Sequence, residues 1–208
     1  MAEKRRRKRG ENRGRLMEAA LTLVGRGRHF ASLGIREVTR EAGVVPTSFY
    51  RHFRSMDDLG LQLVDELGLV MRKMMREARD QAPYADKLIE DSVGLFIQHA
   101  QNNRNFFIFM SQGLAGESRA VRDGIASEMR FLAHELASDI RRMKLLENLN
   151  DSDLYRACEL VIRTVAFSLH DVLMLKEEDD AQIDEIRRRE IQHVKLIMLG
   201  AQAWKSEA

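Results

Sequence analysis

A single cysteine, Cys158, in 208 residues leaves no internal disulfide, so the fold must be held by its core and a reducing cytoplasm is the expected compartment. Proline is nearly absent, with two residues, and the 13 glycines are scattered. Few positions can therefore break a helix, and no β-rich run competes with the long 3.6-residue patterns. No run of 18 apolar residues occurs, and the basic start is not followed by an apolar signal region, so neither a membrane span nor a secretory leader is expected. The six histidines form no HExxH pattern and there is no glycine-rich phosphate loop, so no catalytic residue, metal site or bound cofactor is predicted. What remains is ordinary: 44% hydrophobic and 32% charged residues, enough to bury a core.

The net charge of +2 conceals an asymmetry. Residues 1–55 hold 14 Lys and Arg against 5 Asp and Glu, a balance of +9 that leaves −7 for the rest of the chain. A small basic part joined to a larger acidic one suits a polyanion-binding module with a partner domain of another role. The run Lys4, Arg5, Arg6, Arg7, Lys8 and Arg9 has no apolar residue, so residues 1–10 are expected to form a disordered basic arm. It can follow a nucleic-acid backbone or enter the minor groove, or serve only as a solubilising tail.

The stretch Ile35 to Phe53, IREVTREAGVVPTSFYRHF, predicts a helix, a tight turn and a second helix. Ile35, Val38 and Ala42 give the first helix its apolar stripe, Gly43 ends it in the left-handed manner, and Pro46 fits the first turn of the next. Phe49 and Phe53, four apart, are the core side of the second helix. Thr47, Ser48, Tyr50, Arg51 and His52 are left facing elsewhere, and all can bond oxygen. Thr47 and Ser48 occupy the end of a recognition helix that touches base edges, and Arg36 can reach a guanine edge or a phosphate. Arg40 and Arg51 are either phosphate contacts or merely solvated.

The turn, the second helix and the following SMDDL resemble the DNA-binding signature of the TetR family of one-component repressors. Within that family, FASLGIREVTREAG, PTSFYRHFR and DDLGLQLVDELGL resemble the FabR and DesT regulators of unsaturated fatty-acid synthesis, over roughly residues 16 to 80. The resemblance implies that Tyr50 and His52 bond DNA phosphates. It also marks a departure: many family members have a phosphate-clamping lysine where Met56 stands, a role that Arg54 could take over. The implied fold is all-α and TetR-like, with about nine helices. Residues 11–54 would form the helix-turn-helix domain and residues 55–208 the ligand-binding and dimerisation bundle, with helix 55–81 connecting them. A first helix from about Glu11 to Arg26 would pack over the two-helix unit, and Ser55 with Asp58 would cap the connector.

Further helices are expected at about 85–101, 105–113, 118–144, 152–176 and 181–205, with Pro83 ending the connector and caps at Ser118 and at Asp151 or Ser152. Their methionines and phenylalanines are core material for a bundle. The family resemblance adds an effector pocket among them, assigned to Met71, Met74, Phe96, Phe106, Phe109, Met110, Met129 and Phe167. The FabR and DesT resemblance makes the effector a long-chain acyl-CoA, whose phosphates call for cations at the pocket mouth: Arg72, Lys73, Arg76, Arg104, Arg119 or Arg122.

The last two helices carry more apolar surface than one small core uses. Val161, Val165, Leu169, Val194, Ile197, Met198 and Ala201 are expected at a homodimer interface that sets two recognition helices one DNA turn apart on palindromic double-stranded operator DNA. Arg163, His170 and Glu159 would form a polar strip beside it. The leading expectation is thus a transcriptional repressor of unsaturated fatty-acid synthesis or desaturase genes. Two alternatives stay open: a sensor of another lipophile or drug controlling efflux, and a helical lipid-binding protein or acyl-transfer enzyme.

Overall fold

The computed structural model describes residues 2–81, 85–174 and 180–206. The helix end assigned to Pro83 and most of the break at residues 177–180 lie outside that set, as do the side chains of Arg5, Arg6, Arg7, Leu169 and His170. The described residues form nine α-helices and no strand: α1 Ala2–Gly25, α2 Ile35–Glu41, α3 Pro46–Phe49, α4 Met56–Gln81, α5 Ala85–Asn102, α6 Arg104–Leu114, α7 Arg119–Arg142, α8 Asp151–Met174 and α9 Asp180–Ala203. A short 3-10 turn at Phe30–Ser32 precedes α2.

The first helix corrects one expectation. Its backbone is helical from Ala2, so it runs through the basic segment expected to be disordered. Lys, Arg, Glu and Ala are all good helix formers, and no proline separates the segment from the amphipathic part of α1, which can propagate backwards through Gly10 and Gly14 at a modest cost.

The chain divides into two compact units, one of Met1–Leu67 with Arg104–Ile125, the other of Gly68–Asn103 with Ala126–Ala208. In unit one α1 packs on α2, α3 and α6. Leu16, Ala20, Val24, Val38, Phe49, Phe53, Leu59 and Leu63 are all buried there. Phe30 plugs this core and meets Phe109 of α6 edge-on, with centroids 5.0 Å apart, a favourable aromatic geometry. The α4 cap forms as expected: Ser55 Oγ accepts the Asp58 N–H at 3.1 Å, while the Asp58 carboxylate accepts the Arg54 N–H at 2.8 Å. Gly60 and Gly68 could have bent α4 or admitted close neighbours, and they do the second. A Cβ at Gly60 would lie 2.6 Å from Val121, and one at Gly68 2.2 Å from the Glu128 carboxylate.

In unit two α8 packs on α9, and α5 on both. One core cluster joins Ala133, Ile140, Leu146, Leu149, Leu154, Cys158 and Ala201. The cap of α8 is Asn150 rather than Asp151 or Ser152; its Oδ1 accepts the Asp153 N–H at 2.8 Å. Asn148 serves the same end of the bundle, donating from Nδ2 to the carbonyls of Ala201 and Trp204 at 3.0 and 3.1 Å and so occupying acceptors at and just past the end of α9.

Candidate nucleic-acid interface and effector region

The α2–α3 turn is built as its residues require. Gly43 has φ of +62°, a left-handed conformation that costs a glycine little, and Pro46 stands in the first turn of α3. Regular α-helix covers only Pro46–Phe49, but an N–H of Phe53 still reaches the Phe49 carbonyl at 2.9 Å, so the helical course continues through the RHF segment. Phe49 and Phe53 are fully buried, and their rings lie 5.5 Å apart. That pins one side of the helix.

The other side is left in solvent. Thr47, Tyr50, Arg51, Arg36 and Arg40 are exposed, and His52 is half-buried. The Tyr50 ring stands edge-on to Phe49 at 5.7 Å, so its hydroxyl projects from a fixed base. Ser48 departs from the expected DNA-facing set: it is buried, and its Oγ accepts from Asn12 Nδ2 at 3.5 Å. Its position between Thr47 and Phe49 turns it toward α1, a difference of one helical step that spacing alone does not resolve. Other cations of unit one are spent on acids: Arg26 on Glu41 at 3.0 Å and Arg28 on Glu37 at 2.8 Å. Arg36 and Arg40 form no ion pair among the described residues, leaving their charge for a phosphate or a base edge.

Sequence reasoning missed Gln112. Its Oε1 accepts the Phe30 N–H and its Nε2 donates to the Arg28 carbonyl, both at 3.1 Å, so one amide of α6 holds two nearby points of the loop that leads into α2. Only the tertiary fold brings residues 82 and 84 positions apart together, and no local motif announces it.

The residues expected in an effector pocket are divided between the two units. Phe109 and Met110 are buried in unit one with Phe106 half-buried, whereas Met71 and Phe96 are buried and Met74 and Met129 half-buried in unit two. Phe167 contradicts its assignment outright, being 86% exposed on α8. Two surface pockets of unit two fall in the size range of ligand sites. One, of about 670 Å³, lies between α5 and α9 and is lined by Leu95, Ile97, Ile183, Ile191, Glu90 and Arg187. The other, of about 480 Å³, lies between α8 and α9 and includes Phe167.

Charge in unit two is mostly internally matched. Arg72 pairs with Glu128 at 2.7 Å and lies 5.3 Å from the Phe131 ring centroid. His99 meets Glu77 at 2.7 Å, and this hydrogen bond, aided by Lys73, holds the Glu77 carboxyl below its ordinary range. The hydrogen bond from Lys195 does the same for Glu90. Burial pushes the Cys158 thiol up to about 12, so it stays protonated at neutral pH. Among the described residues no cluster of three or more His, Cys, Asp or Glu could hold a metal ion, and no helix is long and apolar enough to cross a membrane.

The interface assigned to α8 and α9 also needs correction. Val194 and Ala201 are buried within the chain, while Val161, Val165, Ile197 and Met198 are half-buried. The apolar stripes of the two helices face each other and their neighbours, so the longest stripe is core. What they leave outside is Leu160, Phe167, Leu196 and Leu199, each more than half exposed.

Residues 16–63 match the model of the bacterial regulatory proteins of the tetR family. The chain is similar in fold to the fatty acid degradation regulator FadR of Bacillus halodurans, with a TM-score of 0.67 at 12% identity over 88% of this chain and 93% of that one. FadR of Bacillus subtilis, solved in complex with stearoyl-CoA, gives 0.63 at 14% identity over 88% and 96%. A TetR-like transcriptional regulator from Rhodococcus gives 0.65 at 16% identity over 88% and 96%. Residues 16–63 thus carry the N-terminal segment of tetR-family regulatory proteins, and the chain as a whole shares the all-helical fold of such regulators.

Proposed function

We propose that the protein is a homodimeric, cytoplasmic transcriptional repressor that binds palindromic operator DNA through α2 and α3 and whose DNA affinity is set by a long-chain acyl-CoA, with genes of unsaturated fatty-acid synthesis or desaturation as its targets. The observation that carries the DNA-binding part is the contrast across α3: two phenylalanines sunk in the core and Thr47, Tyr50 and Arg51 exposed beside Arg36 and Arg40. In this reading Thr47 and Arg36 read base edges, and Tyr50, Arg51 and His52 fix phosphates, with Arg5, Arg6 and Arg7 adding contacts beyond the domain. The exposed faces of α8 and α9 supply the dimer contact.

The acyl-CoA assignment rests on the resemblance of residues 16 to 80 to the FabR and DesT regulators and on the fold likeness to a FadR solved with stearoyl-CoA. In this reading Met71, Met74, Phe96 and Met129 of unit two would face the acyl chain. A ligand favours repression or release only by binding one arrangement of the recognition helices better than the other. A second reading, a sensor of an uncharged lipophile, is favoured by the state of the expected cations. Arg72, Lys73 and Arg119 are paired with acids, and Arg122 donates to the Gly116 carbonyl.

Selection of bound fragments from genomic DNA tests the proposal, followed by titration of the enriched operator in the presence of oleoyl-CoA, free oleate and CoA. Enrichment of a palindrome beside desaturase or fatty-acid synthesis genes, with a shift in affinity only for the thioester, is the expected result. A shift with free lipophiles alone selects the second reading. No enriched sequence would overturn both.

A further inference from the structure

The outer surface of α8 and α9 carries a pocket and, on its rim, an aromatic side chain that does not fill it. The pocket has a volume of about 480 Å³ and is walled by Arg163, Thr164, Arg189 and His193 over a floor of Ser168 and Glu190. Both floor residues are buried, at 5% and 3% exposure. Phe167 belongs to the same lining yet is 86% exposed. Among the described residues nothing covers this largest apolar group of the face.

The walls suit a ring. The Arg163 guanidinium is held by Glu159 at 3.0 Å, and that of Arg189 by Asp171 and, at 3.2 Å, by Glu190. Guanidinium groups fixed by carboxylates retain their flat faces for stacking against an aromatic face. The Glu190 Oε2 atom is buried without a hydrogen-bond partner, although His193 Nδ1 lies 3.5 Å away. A ring entering edge-first presents its electropositive rim to such an oxygen. Elsewhere on the same two helices, Leu160 of α8 and Leu196 and Leu199 of α9 are more than half exposed, apolar surface that a partner can cover.

We infer that the pocket is the receptor for Phe167 of a second copy of this chain. Knob and hole lie side by side on one face, so a two-fold axis between them seats each Phe167 in the opposite pocket, and each pocket is complete only when the other copy is present. The patch carries guanidinium and carboxylate groups together, so it is complementary to itself, as an isologous contact requires. This rests on the homodimer reading above and adds to it which residues interlock and how.

The test separates interlocking from simple face-to-face contact. In the full-length protein Phe167→Ala removes the knob and Thr164→Trp fills the hole, with Thr164→Met as the milder filler if the tryptophan variant melts early. Each homodimer, measured by sedimentation equilibrium after circular dichroism has established folding, is expected to weaken by roughly thirtyfold or more, the effect of losing an anchor residue. The mixture is decisive. A heterodimer of the two variants keeps one intact knob in one intact hole, so native mass spectrometry should find it in excess over both homodimers. A statistical mixture, or a Phe167→Ala dimer as tight as the wild type, overturns the interlock while leaving the dimer standing. A wild-type chain that is monomeric at micromolar concentration overturns the dimer reading itself.

Discussion

The α2 helix of unit one and the helices of unit two differ in how they treat their cations. On α2 of unit one, Arg36 and Arg40 stand exposed without an ion pair among the described residues. In unit two Arg72, Arg141, Arg163, Arg189 and Lys195 each meet a carboxylate. The difference is instructive because an ion pair uses up the field of both partners. A surface that leaves cations unmatched and mounts them on a rigid aromatic base is prepared for a polyanion, whereas one that matches them is prepared for itself or a weakly charged guest. The distinction is also made within unit one, where Arg26 and Arg28, away from α3, are paired with Glu41 and Glu37.

The strongest way to break this comparison is to remove the base. Phe49→Ala should cost about 3–5 kcal/mol, the usual range for truncating a buried phenylalanine, and abolish DNA binding. Calorimetry of the variant against Phe167→Ala sharpens the contrast, because the exposed ring should leave the melting of an isolated chain nearly unchanged. Gln112→Ala strips the Phe30 N–H and the Arg28 carbonyl of their partner and should cost about 1–3 kcal/mol in chemical denaturation. Of smaller effect, Tyr50→Phe should weaken operator binding by about 0.5–1.5 kcal/mol. Arg40→Ala should lower the slope of log affinity against log salt by about 1, if the side chain meets a phosphate.

In unit two the expected effects are conditional on pH. The folded chain holds Glu77 below its ordinary value, so this carboxylate adds stability that is fully present above that value and drains away as the pH falls beneath it. Glu77→Gln should therefore lower stability at neutral pH, change it little well below about pH 4.5, and so flatten the acid limb of the stability curve. The slightest effect concerns Cys158. Its protonated, buried thiol should resist alkylation at neutral pH until the protein is unfolded, a difference read by mass spectrometry.

The local features of the helix-turn-helix were legible in the sequence because each rests on a few adjacent residues. Gly43 announces the left-handed turn, Pro46 the start of α3, and the spacing of Phe49 and Phe53 the buried side. Ser48 escaped because a helix of four residues gives too short a period to divide its faces. Periodicity found the apolar stripes of α8 and α9 but could not say what covers them. Val194 and Ala201 serve the interior, and the partner-facing surface is a sparser set, Leu160, Phe167, Leu196 and Leu199, interrupted by charges. The Gln112 bridge and the pocket over Glu190 depend on tertiary placement alone.

The account stands most directly on the affinity of the full-length protein for a selected palindromic duplex and for a scrambled duplex of equal length, titrated by fluorescence anisotropy across a salt series. It predicts two protomers per selected duplex, a preference for that sequence that persists near 0.15 M salt, and a steep linear fall of log affinity with log salt. Equal binding of both duplexes, or one protomer per site, would contradict it.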